Sequence, residues 1–314
     1  MKRPRATTTA FGLALSLALA LAFTALASAS AADEPAPTFE LSLAPKPVVS
    51  AGGVALARAE LENVSEKPLA TVRITFDLPA GSFQSASPAG RCVLKRAQVY
   101  CDIGKVPAGA VVEQFVTFTV PADVEGVAVS AEAKFKMSGR AGSATASDST
   151  GVVAAGDPNA KGTCSSEGGT LSTDPVTGEA NPQSTSATFG TSPDLPCTPL
   201  SIGEQERTPA NPGCPEGVTC TTQVSFITVP ALREATIVTL TFDRSILAPR
   251  TKPRNFVLWE TPDKYPAQPI RKVQPCPLPP GEDSCIVELT KFGKGGIQAV
   301  LQVFGSGEDP RYAG

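Results

Sequence analysis

Apolar and polar residues alternate along much of this chain, and this alternation restricts the possible folds more than any other feature. The pattern is clearest over Val72–Leu78 and Val127–Met137, and it recurs over Thr38–Leu43 and Val112–Val120. Alternation with period two is typical of β-strands that have one buried face and one wet face. Helical spacing is not sustained anywhere after the N-terminal segment. We therefore predict an all-β chain.

The strands fall into two groups, which predicts two domains in a chain of 314 residues. Short strands separated by Pro- and Gly-rich turns are typical of an antiparallel sandwich. We predict an antiparallel β-sandwich over residues 38–155, a linker over 156–168 and a second, disulfide-rich β-sandwich over 169–314. For the second domain we expect a disulfide-held loop at 191–220 and strands at 222–229, 235–242, 255–260, 285–289 and 296–304.

The N-terminal segment has the layout of an export signal. Basic residues come first, the stretch Phe11–Ala27 carries no charge, and a run of small residues follows. This order is typical of a secretory signal peptide, with cleavage after Ala29 or Ala31. An uncleaved anchor is the alternative, but the apolar stretch is at the short limit for a membrane span. We predict a signal peptide at 1–31 and a lead-in at 32–37.

Export defines the surroundings and the partners that we expect. Removal of the basic leader would change the formal net charge from −3 to −6. A mildly acidic surface disfavours nucleic acid and anionic lipid as main partners. We expect a bacterial protein that is secreted or associated with the cell surface, with no membrane insertion after cleavage. Its partner is then a cell-surface or extracellular protein or glycan.

The eight cysteines predict disulfides, because their number is even and the chain is expected to be exported. A zinc site is the alternative, but the close ligand pairs and the histidines that such sites use are missing. Spacing alone does not fix the connectivity, so other pairings stay open. Two pairs share one spacing, Cys92–Cys101 and Cys276–Cys285, and Cys214 and Cys220 are close enough for a small loop. That assignment leaves Cys164 and Cys197 as the remaining pair, which spacing itself does not favour.

The chain contains no histidine, which excludes Ser-His-Asp and Cys-His catalytic pairs. We predict no catalytic residue, no cofactor and no metal site. The most enzyme-like pair is Trp259 with Glu260, since a Trp can stack on a sugar and carboxylates can hydrolyse glycosides. Strand alternation would instead place Trp259 in a core and Glu260 in water, and we favour that interpretation. Gly293–Gly296 lacks the P-loop order and is predicted as a hairpin turn.

A strand, a Leu-Pro-x-Gly turn, two cysteines and a Pro-x-Gly turn follow one another in Val72–Gly81, Gly90–Cys92 and Val99–Gly109. This order resembles the repeat domain called domain of unknown function 11, found in exported bacterial surface proteins, over residues of about 38–155. The resemblance implies an immunoglobulin-like sandwich that serves as a spacer or adhesive module, and it implies no catalytic residues. Residues 224–314 are similar to a terminal module of exported actinobacterial-type proteins.

These features favour a non-enzymatic exported protein, a structural or adhesive β-sandwich module at the cell surface or in the medium. One alternative is a secreted carbohydrate-binding or carbohydrate-active protein that uses Trp259 and nearby carboxylates. A second alternative is a protease inhibitor with a disulfide-held loop between Cys197 and Cys220. The sequence alone leaves both alternatives open.

Overall fold

The predicted all-β sandwich class is confirmed by the computed structural model, in which strands make up 59% of the described residues. The described part of the chain contains no α-helix and has two short 3-10 helices, Arg244–Ile246 and Pro253–Asn255. The predicted signal peptide at 1–31 lies outside the described residues. The structure describes residues 35–208, 215, 217–218, 220–228, 230, 232, 234–261, 269–278, 283–304 and 311–314.

The first sandwich consists of ten strands in two facing sheets. In chain order they are β1 (Thr38–Ala44), β2 (Val48–Ser50), β3 (Val54–Glu62), β4 (Leu69–Asp77), β5 (Phe83–Ser87), β6 (Cys92–Lys95), β7 (Gln98–Val106), β8 (Val111–Thr119), β9 (Gly126–Met137) and β10 (Arg140–Val153). One sheet has the strand order β1-β3-β8-β5 and the other has the order β2-β10-β9-β4-β7-β6. Neighbouring strands are antiparallel, except that β2 pairs in parallel with the end of β10.

The apolar residues of the predicted alternating strands form the core of this first sandwich. Ile74 and Phe76 of β4 are fully buried and pack in the same core as Phe118 of the facing sheet. Arg73 and Asp77, which alternate with them, are exposed. Because one face of each strand is apolar, the two sheets bury these faces against each other.

The second sandwich has eleven strands, again in two facing sheets. They are β11 (Ala160–Ser165), β12 (Gly169–Ser172), β13 (Gln183–Phe189), β14 (Thr198–Glu206), β15 (Gln223–Thr228), β16 (Thr236–Phe242), β17 (Trp259–Thr261), β18 (Arg271–Lys272), β19 (Ser284–Phe292), β20 (Gly296–Val303) and β21 (Arg311–Ala313). The sheet orders are β11-β14-β15-β21-β17-β18 and β12-β13-β16-β20-β19. We call the first of these the six-stranded sheet and the second the five-stranded sheet.

Three segments of the second sandwich differ from the expectation. Strand β11 lies inside the predicted linker 156–168, and β14 lies inside the predicted loop 191–220. Neither strand shows the alternation of apolar and polar residues that predicts a strand. Strand β11 consists mainly of small residues, and β14 is buried on both faces from Thr198 to Glu204. The strand expected at 255–260 begins at Trp259, because the preceding chain forms a 3-10 turn that starts at Pro253.

The two sandwiches are in direct contact through β11. The Cys164–Cys197 disulfide packs with Leu56 and Phe115, which lie on the outer side of the first sandwich. These two side chains are only 3% and 8% exposed, although they point away from their own core. Gly162 passes so close to β2 that a Cβ atom would lie 2.1 Å from the Val48 carbonyl oxygen. The contact therefore requires a residue without a side chain.

Candidate functional site

A row of five polar side chains crosses the six-stranded sheet of the second sandwich. Its members are cross-strand neighbours, in the order Glu204, Ser225, Tyr312, Glu260 and Arg271. The first four are buried, although a polar group in a core costs free energy unless it is hydrogen-bonded. The row is therefore the strongest candidate for a functional site in the described part of the chain.

Glu260 takes part in a buried ion pair and does not face water as expected. Arg271 Nη2 donates to Glu260 Oε1 at 2.7 Å, and Ser284 Oγ donates to Glu260 Oε2 at 2.6 Å. Asp283 Oδ2 lies 3.7 Å from the same Arg271 nitrogen. Because both oxygens of Glu260 are engaged and the side chain is 3% exposed, this carboxylate connects β17 to β19 across the core.

Trp259 lies on the other face of β17, since successive side chains of a strand point to opposite sides. It is partly exposed rather than packed in the core. Trp259 and Glu260 therefore do not line one ligand site, as the carbohydrate alternative would need, and Trp259 also lies outside the core in which we expected it. Trp259 instead lines a mainly apolar pocket of about 430 Å³ with Leu247, Phe256, Val257, Thr251 and Asn255.

Glu204 lies at the end of the row, on β14. Thr173 Oγ1 donates to Glu204 Oε1 at 3.0 Å, whereas Oε2 has no hydrogen-bond partner among the described residues. Burial raises the pKa of Glu204 to about 8, and the hydrogen bond from Thr173 counters this only in part. The carboxyl group is therefore mostly protonated at neutral pH.

Ser225 connects this end of the row to the facing sheet. Its Oγ lies 2.6 Å from Gln183 Nε2 and 2.9 Å from Thr185 Oγ1, both on β13. All three side chains are at most 1% exposed. Gln183 Oε1 has no hydrogen-bond partner within the described ranges. Two hydroxyls and a carboxamide thus meet in a buried part of the core, and Glu204 is the cross-strand neighbour of Ser225.

Burial also affects the tyrosine in the middle of the row. Tyr312 is fully buried, and this burial raises its pKa well above the usual value, with the nearby Glu260 carboxylate adding to the effect. The phenol therefore keeps its proton at any physiological pH. Ser225 and Glu260 are its neighbours on the two adjoining strands.

Three disulfides lie wholly within the described residues, and each joins a pair named in the sequence analysis. Cys92 and Cys101 link cross-strand neighbours of β6 and β7. The other two disulfides are Cys164–Cys197, at the contact between the sandwiches, and Cys276–Cys285, at the start of β19. The expected partner of Cys220, Cys214, lies outside the described residues, so that pairing stays a prediction.

Part of the range from Cys197 to Cys220, where the inhibitor alternative places its loop, is a strand. Strand β14 fills the first part of this range, lies between β11 and β15, and is buried up to Glu204. Residues 209–214 lie outside the described part of the chain. The predicted hairpin turn at Gly293–Gly296 is present between β19 and β20.

The described ranges contain neither a candidate metal-binding cluster nor a candidate membrane-spanning helix. Within residues 35–208 and the later described segments, no three Cys, Asp or Glu side chains are grouped so that they could hold a metal ion. In the same part of the chain, no helix has the length and apolar character needed to cross a membrane.

Sequence reasoning missed the polar row because it looked for carboxylates next to aromatic residues. The sequence does carry one signal: a series of apolar residues at every second position of a strand that continues into a polar residue at the next such position. Leu200, Ile202 and Glu204 have one such spacing, and Ile227 and Ser225 have another. A polar residue at an inward-facing position of a strand needs a hydrogen-bond partner in the core, so such a position is a candidate for a buried polar site.

No protein-family model matches the chain, and no curated protein matches it. Similar solved structures include BslA, a bacterial hydrophobin, with 14% identity, 38% of this chain and 96% of that chain covered, and a TM-score of 0.28. An inactive mutant of a GH20 exo-β-N-acetylglucosaminidase from Vibrio harveyi has 16% identity, 42% and 24% coverage, and a TM-score of 0.25. Native α2-macroglobulin from Escherichia coli has 13% identity, 44% and 20% coverage, and a TM-score of 0.27. Such low scores carry no functional argument.

Proposed function

We propose that this chain is a non-enzymatic exported module of the bacterial surface or medium. In this proposal, two docked β-sandwiches hold their outer faces in fixed positions for contact with a cell-surface or extracellular protein or glycan. The supporting observation is the contact between the sandwiches, where the Cys164–Cys197 disulfide covers Leu56 and Phe115. A contact of this kind suits a rigid display scaffold.

Export is supported by the disulfides and by the N-terminal sequence. Disulfides form and persist mainly in oxidising compartments, and the described residues contain three of them. A cleaved leader at 1–31 would deliver the chain to such a compartment. Secretion or surface association is therefore the location that we propose.

The absence of an enzymatic role is supported by the chemistry of the available side chains. Histidine is missing from the sequence, and Glu260, the carboxylate beside the single Trp, is held by Arg271 and Ser284. An acid that works on a glycosidic bond must reach the substrate. We therefore propose contact without turnover.

Within this proposal, the first sandwich is an immunoglobulin-like module of the domain of unknown function 11 type. The residues that carry the resemblance, Val72–Gly81 and Val99–Gly109, belong to β4, β7 and the turns that follow them. Asn63, which precedes this block, is fully buried, and its Nδ2 donates to the Pro107 carbonyl at 2.8 Å. Its role is then to hold the turn between β7 and β8.

The proposal is tested by measuring binding and turnover on the same material. Mature protein is titrated against immobilised bacterial wall polysaccharides and extracellular proteins, and released reducing ends are measured in parallel. We expect saturable binding and no release of reducing ends. Turnover that disappears in Glu260→Gln and persists in the exposed control Glu288→Gln would overturn the proposal, and so would the absence of binding across the panel.

A second candidate function is favoured by the pocket beside Trp259. Its apolar wall and the hydroxyl and amide groups of Thr251 and Asn255 suit a neutral sugar ring, and none of its described lining residues has a charged side chain. The chain has one Trp, so its fluorescence reports on this pocket directly. We expect neutral oligosaccharides to shift the emission, and Trp259→Ala to abolish binding by calorimetry while Leu94→Ala leaves it unchanged. No shift with any neutral oligosaccharide would remove this candidate.

A further inference from the structure

Strand β6 is an edge of the first sandwich at which main-chain groups are open to a partner. It ends the sheet β2-β10-β9-β4-β7-β6, and in the described part of the chain it pairs with β7 alone. Along an antiparallel pair, hydrogen-bonded and non-hydrogen-bonded positions alternate. The Asp102 N–H donates to the Arg91 carbonyl at 2.9 Å, which makes these two residues a hydrogen-bonded pair. Cys92 and Leu94 then occupy non-hydrogen-bonded positions, and their N–H and C=O groups point away from β7.

The same strand exposes two large aliphatic side chains. Val93 is 50% exposed and Leu94 is 48% exposed. Leu94 is opposite Val99, a core residue, so it lies on the inner side of the sheet but is only partly covered. Val93 is opposite Tyr100 and lies on the outer side. A strand added beside β6 would cover both aliphatic side chains, and this burial favours its addition.

Three basic side chains surround the aliphatic ones. Arg91 and Lys95 lie on the same side of β6 as Val93, because each is two positions away from it. Arg96 lies in the turn between β6 and β7. All three are exposed, and none forms an ion pair with a carboxylate of the described residues. Like charges disfavour a second copy of β6 at this edge, whereas acidic side chains on an incoming strand would supply the missing partners.

We propose that β6 binds an extended, acidic segment of an extracellular protein, which adds to the sheet as an antiparallel strand. Acidic side chains of the segment lie opposite Arg91 and Lys95, and aliphatic side chains lie between them. Main-chain hydrogen bonds to Cys92 and Leu94 hold the segment in place. The partner is a polypeptide because only a polypeptide repeats N–H and C=O groups at the spacing of a strand. This inference rests on the proposed function, since it names the partner class and the place of contact.

The Cys92–Cys101 disulfide prepares this edge for binding. Strand β6 has only four residues, and a short edge strand is poorly held by its own ladder of hydrogen bonds. The disulfide joins it to β7 at two directly opposed positions, and β7 in turn pairs with β4 of the core. Because the edge is already ordered before a partner arrives, binding costs less conformational entropy.

Amide exchange measured residue by residue by NMR, with and without a designed peptide, tests the proposal. The probe is Thr-Glu-Ile-Val-Val-Glu-Thr with blocked ends. When its central Val lies opposite Val93, its two Glu residues lie opposite Lys95 and Arg91. We expect exchange of the Cys92 and Leu94 amides to slow by at least about tenfold at saturating peptide, because each gains a hydrogen bond. Unchanged exchange at both amides would overturn the proposal.

Methylation of the peptide nitrogens separates strand addition from charge attraction alone. In the proposed register, the N–H groups of Ile and of the second Val point at β6. Methylating both should weaken binding by at least about tenfold. Methylating the central Val, whose N–H points away, is the matched control and should leave binding unchanged. Equal binding of all three peptides would overturn strand addition, because any anionic polymer could then bind through its charge.

Charge reversal assigns the contact to the basic side chains. Combining Arg91→Glu with Lys95→Glu should abolish binding of the acidic peptide and create binding of a peptide in which both Glu residues are Lys. Both side chains are exposed, so the substitutions leave the core intact. Lys136→Glu, exposed on β9 of the same sheet, is the control and should keep the wild-type preference. A doubly substituted protein that still prefers the acidic peptide would contradict the proposal.

The panel of extracellular proteins distinguishes this inference from the proposed function. Panel binding that is unchanged in the doubly substituted Arg91→Glu, Lys95→Glu protein would remove the inference and leave the proposed function standing. Loss of that binding, with Lys136→Glu unaffected, would support both. If the wild type binds no panel member, the proposed function falls, and protection of Cys92 and Leu94 by the peptide alone decides the inference.

Discussion

The backbone N–H of Gly162, in the second sandwich, donates to Ser50 Oγ of the first sandwich at 3.1 Å. The connecting chain is itself tied down, since the Glu204 N–H donates to the Asn159 carbonyl at 2.8 Å. The segment expected to be a linker is therefore part of the contact between the sandwiches. This arrangement makes the contact testable by single substitutions.

Replacing Gly162 with Ala should separate the sandwiches or strain both of them. The new Cβ would lie 2.1 Å from the Val48 carbonyl oxygen and 2.9 Å from Val49 Cα, and backbone atoms cannot yield as a side chain does. We expect a loss of about 2 kcal/mol or more in the free energy of urea unfolding. Gly156→Ala is the matched control, because no atom lies within 4 Å of its added Cβ. Equal effects of the two substitutions would contradict the close contact.

Removing the Cys164–Cys197 disulfide should loosen the first sandwich as well as the second. The bond closes a loop with a sequence separation of 33, and the loop-entropy model predicts a loss of about 3–4 kcal/mol for such a loop. Because the bond also covers Leu56 and Phe115, amide exchange should rise in β3 and β8 of the double Ala variant. The double Ala variant at Cys92 and Cys101 serves as the control. Unchanged exchange in β3 and β8 would show that the cover is not needed.

The buried ion pair of Glu260 with Arg271 should behave as one unit. Arg271→Ala leaves the buried Glu260 carboxylate without its cation, which costs about 3 kcal/mol in the free energy of unfolding. Glu260→Ala should cost less, because Arg271 is partly exposed and keeps Asp283 at 3.7 Å. The double variant should cost at least about 1 kcal/mol less than the sum of the two. The exposed pair Arg73–Asp102 is the control and should show negligible coupling. Additive effects at Glu260 and Arg271 would contradict a direct interaction.

Stability should fall as the pH rises, because burial raises the pKa of Glu204 from 4.5 to about 8. Between these two values the unfolded chain releases the proton and the folded chain keeps it, so the contribution is complete below pH 4.5 and is lost by about pH 8. The slope is at most about 1.4 kcal/mol per pH unit. Urea unfolding from pH 5 to 8 should show this slope in the wild type and a flatter profile in Glu204→Gln. Glu206→Gln, exposed on the same strand, should keep the wild-type slope.

The strands that the sequence predicts well are those with one apolar face and one polar face. Strand β9 alternates along its length and β4 alternates from Val72 onward, and the structure places their apolar residues in the first core. Most apolar residues of β16 and β20 lie in the second core. In each of them, burial on one side and water on the other produce the pattern that the eye detects.

The polar row could not be predicted by the same reasoning, for a physical reason. Strand β14 is covered on both faces, so burial does not alternate along it. On β13 the inward positions begin with Gln183 and Thr185, which read as a wet face in a sequence. Their burial depends on Ser225 and Glu204, which are distant in the chain and become neighbours only in the folded sandwich.

The close approach of β11 to β2 has a mechanical consequence. Because Gly162 meets β2 backbone to backbone, this point of the contact has no side chain of its own that could rotate under a pulling force. A pulling force on one sandwich is then expected to rotate the other sandwich with it. Attachment of the molecule at either end would therefore fix the orientation of both sandwiches.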